Sequence, residues 1–519
     1  MNFMFFANRI SLMRLRTWLT LYLTLTIIGV YRHILWRDEM QGWLVALNSQ
    51  NIFELWNINA PSGHPILYPL LTYISALVYP NPVSMQLMQW LFAAVSAYLF
   101  LRYSPFDKLY KILFLFGYFP FWEYCLVSRH YVILELLVFC GAILVTSRKY
   151  SVILNAIIIA LLFNAHVLGW GIANGFICVS LFIWRQSLNQ HRLVSPAKWS
   201  WAGTSEILLS FLLVISAAVL SFSSIIQTSR EINGSTISID LHSLLIALGR
   251  YLGGSFLIIP NSARWLDLTI AGVISVFLIV LTALYIRFST KALLFYAISL
   301  ISLLGFNSLV YEGIGSRHFG VYFIILLGSL WIHKADNSRQ DLLQKKIYSR
   351  RDLKIKFFFG RIFLAILIVH MIAGVHRVFL DYIYPYSASK EVAEFVRNSE
   401  YSDWPLFGTR DVELASVSGY LGTSIYYPEL EKKGTYAEWK NRISNLRRED
   451  TIIYIENYMQ KHKDINSMLA IISNNSKINH DFDSGDLKLP DGINIRFVNH
   501  FLRSYNKPER YYLYEVRRN

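Results

Sequence analysis

Residues 64–79 read HPILYPLLTYISALVY, and the way this stretch is counted decides the topology of the chain. It holds 16 residues with prolines at 65 and 69, whereas a helix needs about 20 apolar residues to cross a bilayer core. Counted as a span, it would put Arg102, Lys108 and Lys111 on the opposite side from the other basic loops. Read as a helix lying on the outer face, it lets every basic loop fall in the cytoplasm, as the positive-inside rule requires. Residues 64–79 are therefore expected to form an interfacial helix on the outer face.

Outward from it, apolar runs lie at 18–35, 84–101, 109–122, 131–146, 151–164, 167–184, 205–224, 266–286, 292–310, 319–333 and 360–380. The segment 151–184 cannot be one helix, because at 1.5 Å per residue it would run about 51 Å through a core of about 30 Å. A turn is expected near Asn164–Ala165–His166. Composition agrees with a membrane protein: 54% of residues are hydrophobic, only 16% are charged, and the mean hydropathy is +0.37. Soluble domains carry about 25% charged residues, so a string of soluble domains is excluded. The 34 Phe, 32 Tyr and 14 Trp suit helix ends at a membrane–water interface.

The net charge of +15 does not indicate nucleic acid. Residues 381–519 hold 19 basic and 20 acidic groups, so the excess belongs to the first 380 residues and sits in short loops. The largest of these, 334–361, has nine basic and three acidic residues. Cys125, Cys140 and Cys178 lie in or beside apolar runs without a CxxC pattern, and read as core residues. The N-terminal run follows Arg9, Arg14 and Arg16 with no small-residue cleavage site after it, so a retained first span with a cytoplasmic N-terminus is expected.

The expected fold class is therefore an all-α polytopic membrane protein with about eleven transmembrane helices and an outer-face interfacial helix. Residues 1–380 form the membrane domain, with a first outer loop at 36–83. Residues 381–519 form a small extracytoplasmic α/β domain. There, Ser387 and Ser389 can cap a helix at 390–397 with an apolar stripe of Val392, Phe395 and Val396. Strands are expected at 405–407, 424–427, 468–472 and 511–516.

This topology gathers unusual polar groups on the outer face: Asp38, Glu39, His64, Glu123, Arg129, His130, His166, Glu312, Arg317 and His318. Ionisable groups at membrane depth are costly unless paired or functional. Each has a plainer reading as well. Asp38 and Glu39 suit a helix start beside Arg37, Glu123 suits an interface between aromatics, and the arginines suit headgroup anchors. Four histidines and the carboxylates could bind a divalent metal, but no HExxH or comparable spacing supports it, so no cofactor is assigned.

The segments WRDEMQGWL (36–44), GHP (63–65), SRHY (128–131) and RHFG (317–320) carry a resemblance. Together they resemble the C-type membrane glycosyltransferases, in particular the protein O-mannosyltransferase and aminoarabinose-transferase relatives. One proline follows His64 where relatives have two, and Glu123 stands where many have Asp. The resemblance covers roughly residues 18–330. It implies an inverting transfer of a sugar from a polyprenyl-phosphate donor to a glycan, lipid or protein acceptor hydroxyl, on the outer face of a bacterial plasma membrane. It selects Asp38 as general base with Glu39 and Glu123 as accompanying acids, although chemistry alone allows either of the adjacent pair. Substrate binding falls to His64, Arg129, His130, His166, Arg317 and His318, with arginine suited to gripping the donor phosphate. The alternative is a transporter or flippase of a lipid-linked saccharide, with the same charges lining a path. The absence of an internal repeat and the clustering of polar groups at one face favour the enzyme.

Overall fold

The computed structural model describes residues 14–147, 150–194, 201–231, 241–261, 264–309, 315–343, 349–438, 450–479 and 485–518. Glu312 and the basic residues Arg148, Lys149 and Lys198 lie outside the described residues. Every apolar run but 109–122 coincides with a helix, from Leu15–Arg32 to Arg350–Ile383. Six of the described helices are long and apolar enough to cross a membrane, or seven if Leu15–Arg32 and Arg37–Asn48, bent by 79°, count as one span. Tyr131–Thr146, Val152–Ala165 and Leu67–Val78 are apolar but shorter. The protein is a multi-pass membrane protein.

The expected turn near residue 165 is present, between Val152–Ala165 and Gly169–Val194. Two features depart from the sequence reading. The run 109–122 is a short helix, Lys108–Leu115, followed by a π-helical turn at Phe119–Glu123. Pro120 supplies no backbone N–H there, so a regular helix is not continued. The second is a helix at Leu241–Phe256, which Arg250 and the Gly253–Gly254 pair disguise as a non-apolar stretch. Those glycines are packing residues: a Cβ at Gly254 would collide with the Phe319 carbonyl, so the helix backs directly onto Ser316–Leu343.

The chain divides into two compact units, one of Met1–Ile28, Gly63–Tyr68 and Leu87–Val378, the other of Gly29–Ser62, Pro69–Gln86 and Phe379–Asn519. In the first unit, the irregular segment after Leu115 needs partners for its buried carbonyls. Gln89 donates to the carbonyls of Tyr124 and Val127 at 2.8 and 3.0 Å, and the Tyr22 hydroxyl donates to that of Pro120 at 2.7 Å. A Cβ on Gly374 would stand 2.5 Å from the Phe116 carbonyl oxygen, so only glycine lets this helix brace the turn.

The second unit contains a seven-stranded sheet in the order β3-β2-β1-β4-β7-β6-β5, from β1 (Leu406–Thr409), β2 (Ile425–Tyr427), β3 (Lys432–Gly434), β4 (Ser467–Ser473), β5 (Leu487–Lys488), β6 (Ile493–Phe501) and β7 (Tyr511–Arg518). β2, β1 and β4 run parallel, and the remaining pairings are antiparallel. All four expected strands are present; β3, β5 and β6 were not anticipated. Helices cover both faces, which is why β4 reads as an unbroken apolar run. Leu469 and Ile471 pack with Val392, Val396, Leu414 and Val417, while Met468, Ala470 and Ile472 pack with Ile455 and Met459. Val392 and Val396 are buried on Ser389–Arg397, each worth about 1.5–3 kcal/mol of apolar burial.

Candidate functional site

The expected site residues fall into two clusters, one in each unit. In the second unit, the helix Arg37–Asn48 begins directly after the break that ends Leu15–Arg32, and it carries Asp38 and Glu39 in its first turn. Carboxylates suit that end of the helix macrodipole. The backbone N–H of Trp36 donates to Glu39 Oε2 at 3.4 Å, the reach-back of a capping box.

Glu39 is fully buried and has a second partner. His33 Nε2 lies 2.9 Å from Glu39 Oε2, and His33 Nδ1 lies 2.7 Å from Asp381 Oδ2. A neutral imidazole donates from one nitrogen only, so a ring that bonds two carboxylates at once serves as imidazolium. Glu39, His33 and Asp381 thus form a buried acid–imidazolium–acid bridge. Asp38 stays outside it: its carboxylate keeps 21% exposure and lies 3.7 Å from Arg37 Nε.

The segment around Asp38 is held by the C-terminal part of the same unit. The Leu35 N–H donates to the Tyr420 hydroxyl at 2.8 Å, and the Arg37 N–H donates to Glu509 Oε1 at 3.1 Å. Arg37 Nη1 lies 3.4 Å from Glu413 Oε1. Gln41 and the Ala437 backbone exchange two hydrogen bonds of 2.8 Å. Glu413, buried beside Arg410 at 3.0 Å, also accepts from Ser473 and from Asn475 at 2.7 Å. Burial pushes the Glu509 and Glu429 carboxyls up to about 7.

In the first unit, Glu123 ends the π-helical turn and is buried. Its Oε2 accepts from the Tyr118 hydroxyl at 2.8 Å and the Ser316 hydroxyl at 3.1 Å. The charges of Arg317 and Arg377 act on it, and the Arg377 guanidinium lies 4.1 Å above the Trp122 ring. The Tyr124 hydroxyl donates to the Arg317 carbonyl at 2.8 Å, tying the turn to the second SRH segment.

The four expected histidines gather in this unit. His64 stacks on His130 at 4.7 Å between centroids, His166 lies 5.7 Å from His64 and 5.6 Å from His130, and His318 lies 6.3 Å from His166. Tyr68 and Tyr131 pack into the same group. Gly63 makes the approach possible, since the turn before His64 needs φ of +74°. The Leu168 N–H donates to His166 Nδ1 at 3.1 Å, which leaves the proton on Nε2. Arg129 and Arg317 both bear electrostatically on His130, His166 and His318, so the two SRH segments meet in one cationic cluster. The imidazoles stack rather than converge. Among the described residues, no group of three or more His, Cys, Asp or Glu is arranged to hold a metal ion.

Sequence reasoning passed over His33, Asp381, Glu413, Glu509, Arg250 and Arg377. His33 sits at the end of the first apolar run and was read as part of it. Asp381 and Glu509 belong to the tail, for which no chemistry was anticipated. Arg250 is buried on the unanticipated helix Leu241–Phe256.

The chain is a multi-pass membrane protein with a small C-terminal sheet region. The crystal structure of ArnT from Cupriavidus metallidurans in the apo state shares that fold, with a TM-score of 0.50 over 96% of this chain and 98% of that one, at 11% sequence identity. A second crystal structure of that protein, bound to undecaprenyl phosphate, matches with a TM-score of 0.47 at 10% identity over 96% and 97% of the two chains. No protein-family model and no curated protein sequence matches the chain.

Proposed function

We propose that this protein is an inner-membrane glycosyltransferase that moves a sugar from a polyprenyl-phosphate donor to an acceptor hydroxyl on the extracytoplasmic face. The observation that carries this reading is the contrast within the adjacent acids. Glu39 is buried and locked to His33, whereas Asp38 keeps an accessible carboxylate on a helix clasped at Leu35, Arg37 and Gln41. A base must be both ionised and reachable, and of the two only Asp38 is reachable.

In the proposed reaction, Asp38 takes the proton of the acceptor hydroxyl. The acceptor oxygen attacks the anomeric carbon as its bond to phosphate breaks, which inverts that centre and releases the polyprenyl phosphate. Arg129 and Arg317 hold the phosphate and balance the charge that develops on it, since a guanidinium fork matches phosphate oxygens. His64, His130, His166 and His318 offer ring N–H groups and flat faces to a polar donor headgroup. Glu123, already bonded to two hydroxyls, holds Arg317 by its charge rather than taking a proton.

The reading is tested with purified protein in detergent and a polyprenyl-phosphate sugar. Release of free polyprenyl phosphate that depends on added acceptor is expected. Equilibration of the intact donor across proteoliposome leaflets, without release, would overturn it in favour of a flippase.

A further inference from the structure

The first unit has a cavity of about 410 Å³ that shares no residue with either cluster, lined by Arg287, Lys334, Lys356, His333, Asp107 and Asp352 among others. The three cations come from three candidate spans. Arg287 caps Trp265–Ile286, Lys334 stands near the end of Ser316–Asn337, and Lys356 lies in the first two turns of Arg350–Ile383. Span ends are where long basic side chains meet headgroups.

The local charges leave the cavity positive. Asp352 is taken up by Arg287 and by the Ser349 hydroxyl at 2.7 Å. Asp107 lies 3.6 Å from Lys334 with 79% of its side chain in solvent, so that pair is screened and easily exchanged. Aromatic rings fix the cations: Lys334 Nζ lies 5.5 Å from the Phe106 ring and 5.7 Å from Tyr110, and the Arg287 guanidinium lies 4.7 Å from Phe288. On the turns flanking Lys356, Leu353, Phe357 and Phe358 are exposed. A small soluble anion gains nothing from such a collar, whereas an acyl chain does.

We propose that this cavity is a phospholipid site, with Arg287, Lys334 and Lys356 holding the headgroup phosphate and the chains lying along Leu353, Phe357 and Phe358. The site is independent of glycosyl transfer. Native mass spectrometry of the full chain in detergent tests it, with phosphatidylglycerol, phosphatidylethanolamine and inorganic phosphate as probes. Lys334→Gln with Lys356→Gln, at a half-buried and an exposed position, should weaken phosphatidylglycerol binding about 30-fold. Lys390→Ala, an exposed lysine of the second unit, should leave it unchanged. Unchanged lipid affinity in the double variant would overturn the proposal. So would displacement of the lipid by an equal concentration of inorganic phosphate, which would mark a water-facing anion notch.

Discussion

Replacing His33 by Ala leaves the buried carboxylates of Glu39 and Asp381 without the cation that bridges them. The imidazole and the Glu39 side chain are fully inaccessible, and Asp381 keeps only 4% exposure. Removing one member of a buried ionic group costs about 3–5 kcal/mol, because the remaining charge is neither paired nor solvated. For a unit of this size that corresponds to a fall of about 6–20 °C in unfolding temperature. The diagnostic is the coupling, not the single loss. Glu39→Gln with Asp381→Asn removes the stranded charges, so adding them to His33→Ala should recover a large part of the stability. Thermal unfolding in detergent, followed by intrinsic fluorescence, reads all four proteins. If His33→Ala melts within about 2 °C of the parent, or the two amides add to its loss, His33 is not a charged bridge.

Burial raises Glu429 and Glu509 from the usual carboxyl range to about 7, so the folded form binds protons that the unfolded form does not. Their contribution is complete below about pH 4.5 and is lost as pH rises through 7, about 3 kcal/mol each; Glu509→Gln should flatten the fall in unfolding temperature between pH 5 and 7.5. Gly254→Ala and Gly374→Ala should each cost about 1–3 kcal/mol by forcing packed backbones apart. Gly360→Ala, with open space around its Cβ, should gain up to about 1 kcal/mol in the same denaturation measurement. Arg129→Lys and Arg317→Lys keep the charge but lose the planar fork, so donor binding by titration should weaken in both; unchanged affinity would make them headgroup anchors.

The helical architecture was legible because burial in lipid demands long apolar runs, and those runs need no tertiary information. The helix Leu241–Phe256 was not, since its interior glycines and Arg250 make sense only against Phe319 and the neighbouring helices. In the tail, β1, β2, β4 and β7 were legible as short apolar runs, whereas β6 carries Arg496, Asn499 and His500 and a register shift near Phe497. For the candidate site, sequence position brought the four histidines and two SRH segments into view. The partners of Asp38 and Glu39 were hidden by distance along the chain: Asp381 lies 348 residues from His33, and Glu413 lies 376 from Arg37.

In the proposed reaction Asp38 accepts the acceptor's proton while its neighbour Glu39 does not. The most direct measurement is single-turnover release of polyprenyl phosphate by Asp38→Asn, with donor affinity measured in parallel. Asparagine keeps size and hydrogen bonding but takes no proton, so the rate should fall by about 10²–10⁴ with donor affinity intact. Glu39→Gln should cost less and act chiefly on stability. A fully active Asp38→Asn protein would contradict the account, and an equal, near-complete loss in both variants would replace the base assignment with a shared structural role.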